Sequence, residues 1–268
     1  MPIDPSAISR VLCQSLVAAP PLVGHLPEAD QFDCGALEIP EHLAPLNLEQ
    51  KLGHITEAGL ALLLEASLRY ELLAQNLQIQ KDAHTTIGEL DFLIQDLESG
   101  ERIHLEIATK FYLAVPRASG HDFPGPDARD NYLKKLHRLR SHQLQLSARY
   151  QNYFPEAYRN CSIVSRQLIH GCLFDHVYST ELAKAEFIDS NCRRGRWLTI
   201  DQVPKHFAVG TRYELIPKPL WPAPLPLLDG MDLEPWSPNA PVDRCVLVRV
   251  QGEALPFFIA PNGFPQIP

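Results

Sequence analysis

The run GELDFLIQDLESGERIHLEIATKFYLAV, residues 88–115, holds two apolar segments joined by a turn, with acids and a lysine set into them at strand spacing. A strand sends successive side chains to opposite faces, so residues two apart share a side. In 87–95, Leu90, Phe92 and Ile94 fall on one face and Glu89, Asp91 and Leu93 on the other. In 103–113, Ile103, Leu105, Ile107, Phe111 and Leu113 oppose His104, Glu106, Ala108, Lys110 and Tyr112. The turn DLESGE reverses the chain at Ser99-Gly100. The spacing predicts a hairpin with one apolar face and one face that gathers Glu89, Asp91, Glu106 and Lys110. Charges at this spacing ordinarily mark a solvated sheet face. Here the charged face also carries Leu93, Ala108 and Tyr112, and flanking helices must cover something. The carboxylates are therefore expected to be partly buried and to need a cation, either Lys110 or a metal.

Outward from the hairpin, helical spacing is clear on both sides. Ile8, Val11, Leu12, Ser15 and Leu16 predict a helix over 5–18 that Pro20-Pro21 stops, and a loop rich in Pro and acid runs on to about residue 50. In LEQKLGHITEAGLALLLEASLRY a second helix buries Leu52, Ile55, Gly59, Leu62, Leu63 and Ala66. Its glycines, Gly53 and Gly59, each cost about 1 kcal/mol against alanine, which predicts close approach to a flat partner such as a sheet. YELLAQNLQIQ is a strand with Leu77 and Ile79 opposite Gln78 and Gln80. Residues 115–127 read as a loop, and 130–150 as one helix with Tyr132, Leu136, Leu139, Gln143, Leu146 and Tyr150 on its stripe. SIVSRQLIHGCLF holds a further strand or two, IPKPLWPAPLP is a semi-rigid connector, and VDRCVLVRV with LPFFIA forms a terminal strand pair.

This order predicts an α/β fold with a mixed central sheet flanked by helices. The N-terminal helix and acidic loop occupy 1–50, the α/β core 51–178, and a Pro-rich, partly β accessory region packed on the core 179–268. At 268 residues and 45% hydrophobic, the chain can bury a proper core. Its net charge of −8 argues against a protein that coats nucleic acid, but the charge is uneven. Residues 127–150 carry Arg129, Lys134, Lys135, Arg138, Arg140 and Arg149 against Asp127 and Asp130, a basic block inside an acidic protein. The six scattered cysteines form no CxxC, the start lacks a secretory pattern and no apolar run is long enough to span a membrane, so a cytoplasmic protein with free thiols and no membrane partner is expected.

Asp91 and Glu106 suit a hard divalent cation, Mg²⁺ or Mn²⁺, which binds through one or two carboxylates and keeps several waters. A lysine beside such an ion could orient or help deprotonate an attacking water, a chemistry that fits phosphodiester hydrolysis. A helix with an acid, a strand, a strand with Asp, a strand with Glu and Lys, and then a basic helix resembles the core of the PD-(D/E)XK nuclease superfamily. More narrowly, KLGHITEAG, ELLAQNLQIQ, GELDFLI, IHLEIATKFYL and LHRLRSHQLQLS resemble a bacterial family of uncharacterised function placed in that superfamily, and RRGRWL, ELIPKPLWPAP and the terminal strands extend the likeness. The resemblance implies a restriction-endonuclease-like core and a metal-dependent nuclease. Asp91 and Glu106 would be its metal-binding acids, with Glu57 or Glu89 completing the shell, and Lys110 its catalytic lysine. The superfamily's lysine usually stands two residues after the second acid; here that position is Ala108 and Lys110 lies four on, about 6.6 Å farther along the strand. Leu90, not Pro, precedes Asp91.

Lys134, Lys135, Arg138 and Gln143 are the candidates for nucleic-acid contact, DNA being favoured over RNA. Helix cations are more often a solvated face, and Gln143 can equally hydrogen-bond a strand edge. His104 reads as a satisfied polar residue. CRRGRW (192–197) can grip nucleic acid or pair internally with acids. Two other classes stay open: a catalytically degenerate module that binds nucleic acid or a protein partner, favoured by Ala108, and a metal-independent enzyme that uses the Glu–Lys pair for acid/base work.

Overall fold

The computed structural model describes residues 3–266. Helix α1, Pro5–Ala18, starts with the Asp4 carboxylate accepting from the Ser6 N–H and ends where Ala19 turns extended ahead of Pro20. A short strand β1, Asp30–Gln31, precedes α2, Leu52–Glu65. A Cβ on Gly59 would stand 2.7 Å from Leu12 Cδ2, so this glycine lets α1 close on α2. The partner is thus a helix rather than the expected sheet, and among the described residues a Cβ on Gly53 would meet only Glu57 Oε1, at 3.9 Å.

The long hairpin forms where its alternation predicts. Strands β2, Tyr70–Asp82, β3, Thr85–Asp96, and β4, Arg102–Arg117, are antiparallel neighbours. β4 runs on past Val115, and β5, Gly120–Asp122, folds back on it, so the segment read as a loop is in part a second hairpin. Helices α3, Tyr132–Ser141, and α4, Leu146–Tyr150, then lead into β6, Ile163–His176, parallel to β4 from Arg102↔Ile163 to Ala114↔Asp175. The single helix expected over 130–150 is broken. His142 leaves helical geometry at φ −130° and ψ −65°, and Gln143–Gln145 make one 3-10 turn. The Leu144 carbonyl accepts from Ser165 Oγ at 2.8 Å, a β6 side chain competing for a helix acceptor.

The remaining strands are β7, Arg194–Thr199, β8, Tyr213–Leu215, β9, Glu234–Trp236, β10, Val246–Val250, and β11, Phe257–Ala260. Among the described residues the result is one 11-stranded mixed sheet in the order β2-β3-β4-β6-β7-β11-β10-β8-β9, with β1 beside β6 and β5 beside β4. The C-terminal strands join edge to edge, β11 lying parallel to β7.

Each sheet face has its own cover. Phe92, Ile94, Ile103, Leu105, Ile107 and Leu168 lie beneath α1 and α2, while Tyr112, Ile169 and Leu173 meet Tyr132, Leu136 and Leu139 of α3. Each fully buried large apolar side chain contributes roughly 1.5–3 kcal/mol, which holds the strands beneath the polar groups in place. The stretch read as a semi-rigid connector is itself core: Leu220 and Ala223, with Leu228 just after it, are buried with Phe111, Phe174 and Phe258. All six cysteines are free. No helix among the described residues is long and apolar enough to cross a membrane.

Candidate functional site

β3 changes phase at Asp91. Leu90 packs with Ile79, Leu146 and Phe154, whereas Phe92 and Ile94 pack with α1 and α2 residues, so the three do not share a face as their spacing predicts. Pairing of β3 with β4 reaches only from Gln95↔Arg102 to Phe92↔Leu105. On the other flank, Asn76 has φ 52° and interrupts the β2 ladder between Gln75↔Phe92 and Leu77↔Leu90. Into this gap Asp91 turns its carboxylate, and Oδ2 accepts from the Ile107 N–H at 2.9 Å.

Glu106, 1% exposed, sits on the next strand with both oxygens engaged. Oε1 lies 2.9 Å from His104 Nε2 and Oε2 accepts from Gln143 Nε2 at 2.6 Å. A carboxylate only accepts, so His104 presents an N–H to it; its Nδ1 lies 3.2 Å from Ser147 Oγ. Gln143 in turn accepts from Lys135 Nζ at 2.9 Å through Oε1. The break at His142 is what swings Gln143 between Lys135 and Glu106.

Electrostatics follow from burial. The Asp91 carboxyl is held well above the ordinary carboxylate range, first by burial, then by the charge of Glu106, with Glu57 adding to it and the Ile107 N–H opposing. The Lys135 ammonium is pushed below its ordinary value by burial and then by Lys110, while Glu106 and Asp91 pull the other way. Asp91, Glu106 and Lys135 thus act on one another, and Lys110 acts on Lys135. Lys110 is the outer member, its Nζ donating to Asp130 Oδ2 at 2.6 Å. Beneath it, Gly171 on β6 has φ 149°, and a Cβ there would lie 1.6 Å from the Lys110 carbonyl oxygen. Glycine is what lets β6 run against β4 at this point.

Of the residues singled out from sequence, Asp91, Glu106, Gln143 and Lys135 come together, and Glu57 stands within electrostatic reach of Asp91 with Oε2 3.3 Å from His54 Nδ1. Glu89 is exposed and among the described residues takes only a 3.4 Å contact from Gln78 Nε2, so it lies outside the cluster. Lys134 and Arg138 are exposed, while Lys135 departs from the reading that put it with them. Its spacing carried the signal: it falls three residues after Tyr132 and four before Leu139, on the margin of the buried stripe. His104, two residues before Glu106 on the same face, belongs to the site as the holder of that carboxylate. In CRRGRW the internal alternative holds: Arg193 donates to the carbonyls of Trp221, Pro222 and Ala223, and Arg194 pairs with Asp175 at 3.2 Å.

Among the described residues no group of three or more His, Cys, Asp and Glu side chains is arranged to hold a metal ion. The Asp91–Glu106 pair still fits the hard-cation pattern of one or two carboxylates with water filling the rest. No hydrogen bond within the described residues reaches Asp91 Oδ1, and like charge from Glu106 is what a cation would relieve.

One family model matches residues 13–245, from α1 to the edge of β10. The chain belongs to the family described as Domain of unknown function (DUF1853). No curated protein and no solved structure matches it. The family's extent takes in α2, the hairpin, the broken helix and the turns around Trp221, so the Asp91–Glu106 cluster and much of its surroundings fall inside the family region.

Proposed function

We propose that the chain is a metal-dependent nuclease that hydrolyses phosphodiesters at Asp91 and Glu106. The observation that carries this reading is the electrostatic coupling of two buried carboxylates, Asp91 held toward its protonated form by burial and by Glu106, with Lys135 acting on both and Lys110 acting on Lys135. Mg²⁺ or Mn²⁺ would be held by Asp91 and Glu106, with Glu57 approaching from α2. When bound, such an ion supplies Lewis-acid stabilisation of charge on the phosphoryl oxygens and a more acidic water. The protein's own work is positional. His104 and Gln143 fix the Glu106 carboxylate, the Ile107 N–H fixes Asp91, and Lys135, its ammonium destabilised by burial, can take or return a proton beside them.

Calorimetric titration of Mn²⁺ into the protein tests the reading. Binding with loss of heat in both Asp91→Asn and Glu106→Gln, together with Mn²⁺-dependent cleavage that the same substitutions abolish, is the expected outcome. Absence of Mn²⁺ binding both alone and with an oligonucleotide present would overturn it.

One observation favours the degenerate binding module instead. Lys110 is tied to Asp130 at 2.6 Å, and Ala108 stands where the usual lysine would be. On that reading nucleic acid binds in a salt-sensitive way while chelator changes nothing.

A further inference from the structure

A second feature opens beside Lys110. A cleft of about 570 Å³ is walled by the start of α2, by Thr109, Lys110 and Phe111 of β4, by the 125–130 loop, and by Lys218, Trp221 and Arg244 of the C-terminal region. Its cations are Lys51, Lys110, Arg129, Lys218 and Arg244, and its acids are Asp127 and Asp130, an excess of three positive charges (five less two) in a protein whose net charge is −8. The two acids are already engaged, Asp130 by Lys110 at 2.6 Å and Asp127 by Arg129 at 3.9 Å. Lys51, Lys218 and Arg244 are exposed and form no ion pair among the described residues. Three uncompensated cations converging from separate segments on one concavity form a binding surface for a polyanion, because each bound phosphate releases condensed counterions.

The cleft borders the candidate site at Lys110 and near Glu57. Lys110 lines it, and Gly53 lines it within 3.9 Å of Glu57 Oε1, measured from where a Cβ would stand. Its wall also offers an aromatic surface, Trp221, which is wedged edge-on against Phe111 and Phe258 and has Lys218 Nζ 5.7 Å from its ring centre. The volume falls in the range of small-ligand pockets, about 300–1,000 Å³, which suits a few nucleotides of one strand rather than a duplex.

We infer that this cleft seats the phosphate backbone of a single nucleic-acid strand, with Lys218 and Arg244 gripping it from the C-terminal side. The inference deepens the nuclease reading, since it names the form of substrate and the path by which it reaches Asp91 and Glu106. It also moves the binding surface away from the outer face of α3, where Lys134 and Arg138 point into solvent.

Fluorescence anisotropy with a labelled thymidylate oligomer, followed across a salt series, tests it. The Lys218→Gln/Arg244→Gln protein should bind at least tenfold more weakly, and the slope of log affinity against log salt should fall by about 1.4, roughly 0.7 for each lost phosphate contact on a single strand. Lys134→Gln/Arg138→Gln should bind as the unmodified protein does. No salt-sensitive binding by the unmodified protein, unchanged binding by the cleft variant, or an equal loss in the α3 variant would each overturn the inference. Tighter binding of the matched duplex would overturn the single-strand assignment. The nuclease reading is scored separately, because Mn²⁺ titration of the cleft variant should match the unmodified protein and Asp91→Asn should keep its oligomer affinity. Loss of the oligomer in the cleft variant with no Mn²⁺ response anywhere would leave the cleft standing and remove the nuclease.

Discussion

On one face of β4, Ile103, Leu105 and Ile107 meet α1 and α2 through apolar contact; on the other, His104 and Glu106 meet the α3–α4 segment through a chain of hydrogen bonds from Ser147 to Lys135. The strand is the same and the helical cover is similar, yet the two sides tolerate change differently. Apolar contacts are non-directional and roughly proportional to area, so a neighbour can partly close a gap. A buried polar chain fails one link at a time, because each lost partner strands another group away from water.

The comparison breaks most sharply at the backbone the two faces share. Gly171→Ala drives a Cβ into the Lys110 carbonyl, so β6 must separate from β4; a loss above about 4 kcal/mol, or failure to accumulate folded protein, is expected by urea denaturation. Leu105→Ala, on the apolar face, should cost about 3 kcal/mol with Mn²⁺ affinity retained once folded, since only contact area and a cavity are involved.

His170 is a buried polar group on the α1 side of the sheet. Its Nε2 has no hydrogen-bond partner among the described residues, and burial, then the Arg193 charge, push its pKa down to about 4 from 6.5. The folded state keeps this ring neutral, so its contribution is complete above about pH 6.5 and is lost as the pH falls toward 4, up to on the order of 3 kcal/mol. His170→Leu should flatten that acid limb in melts recorded from neutral to acid pH; an unchanged limb would place the proton uptake elsewhere.

The opposite sign belongs to Asp91. A carboxyl raised in the folded state contributes fully below its unfolded value near pH 4 and loses that contribution as pH rises through the folded value. In chelator at alkaline pH, Asp91→Asn should therefore be more stable than the unmodified protein, on the order of 1 kcal/mol, because Asn keeps an acceptor for the Ile107 N–H without the charge. A less stable variant would mean the carboxylate is compensated without a cation.

Much of the architecture was legible in the sequence because alternation and helical spacing are local properties. The hairpin, α1, α2, the terminal strand pair and the co-facial pairing of His104 with Glu106 follow from period alone. Spacing failed where tertiary contacts override the period. The phase change at Asp91 depends on a gap between β3 and β4, and the helix break at His142 on Ser165 and Glu106 reaching across from other strands. Lys135 looked like its neighbours Lys134 and Arg138 because a charge pattern does not reveal which cation faces a buried acceptor. The stretch around Trp221 read as a semi-rigid connector because its prolines mask how deeply Leu220 and Ala223 are buried.

The chain by itself determined that the strands pair, which faces are apolar, and that Asp91, Glu106 and a lysine-bearing segment stand near one another, since these rest on side-chain order within a few residues. Only the tertiary structure decided which lysine enters the site, what holds Glu106, and that Lys51, Lys218 and Arg244, up to 193 positions apart (244 less 51), line one cleft. Contacts between distant segments are set by how elements stack and which buried polar groups find partners, and no local period records either.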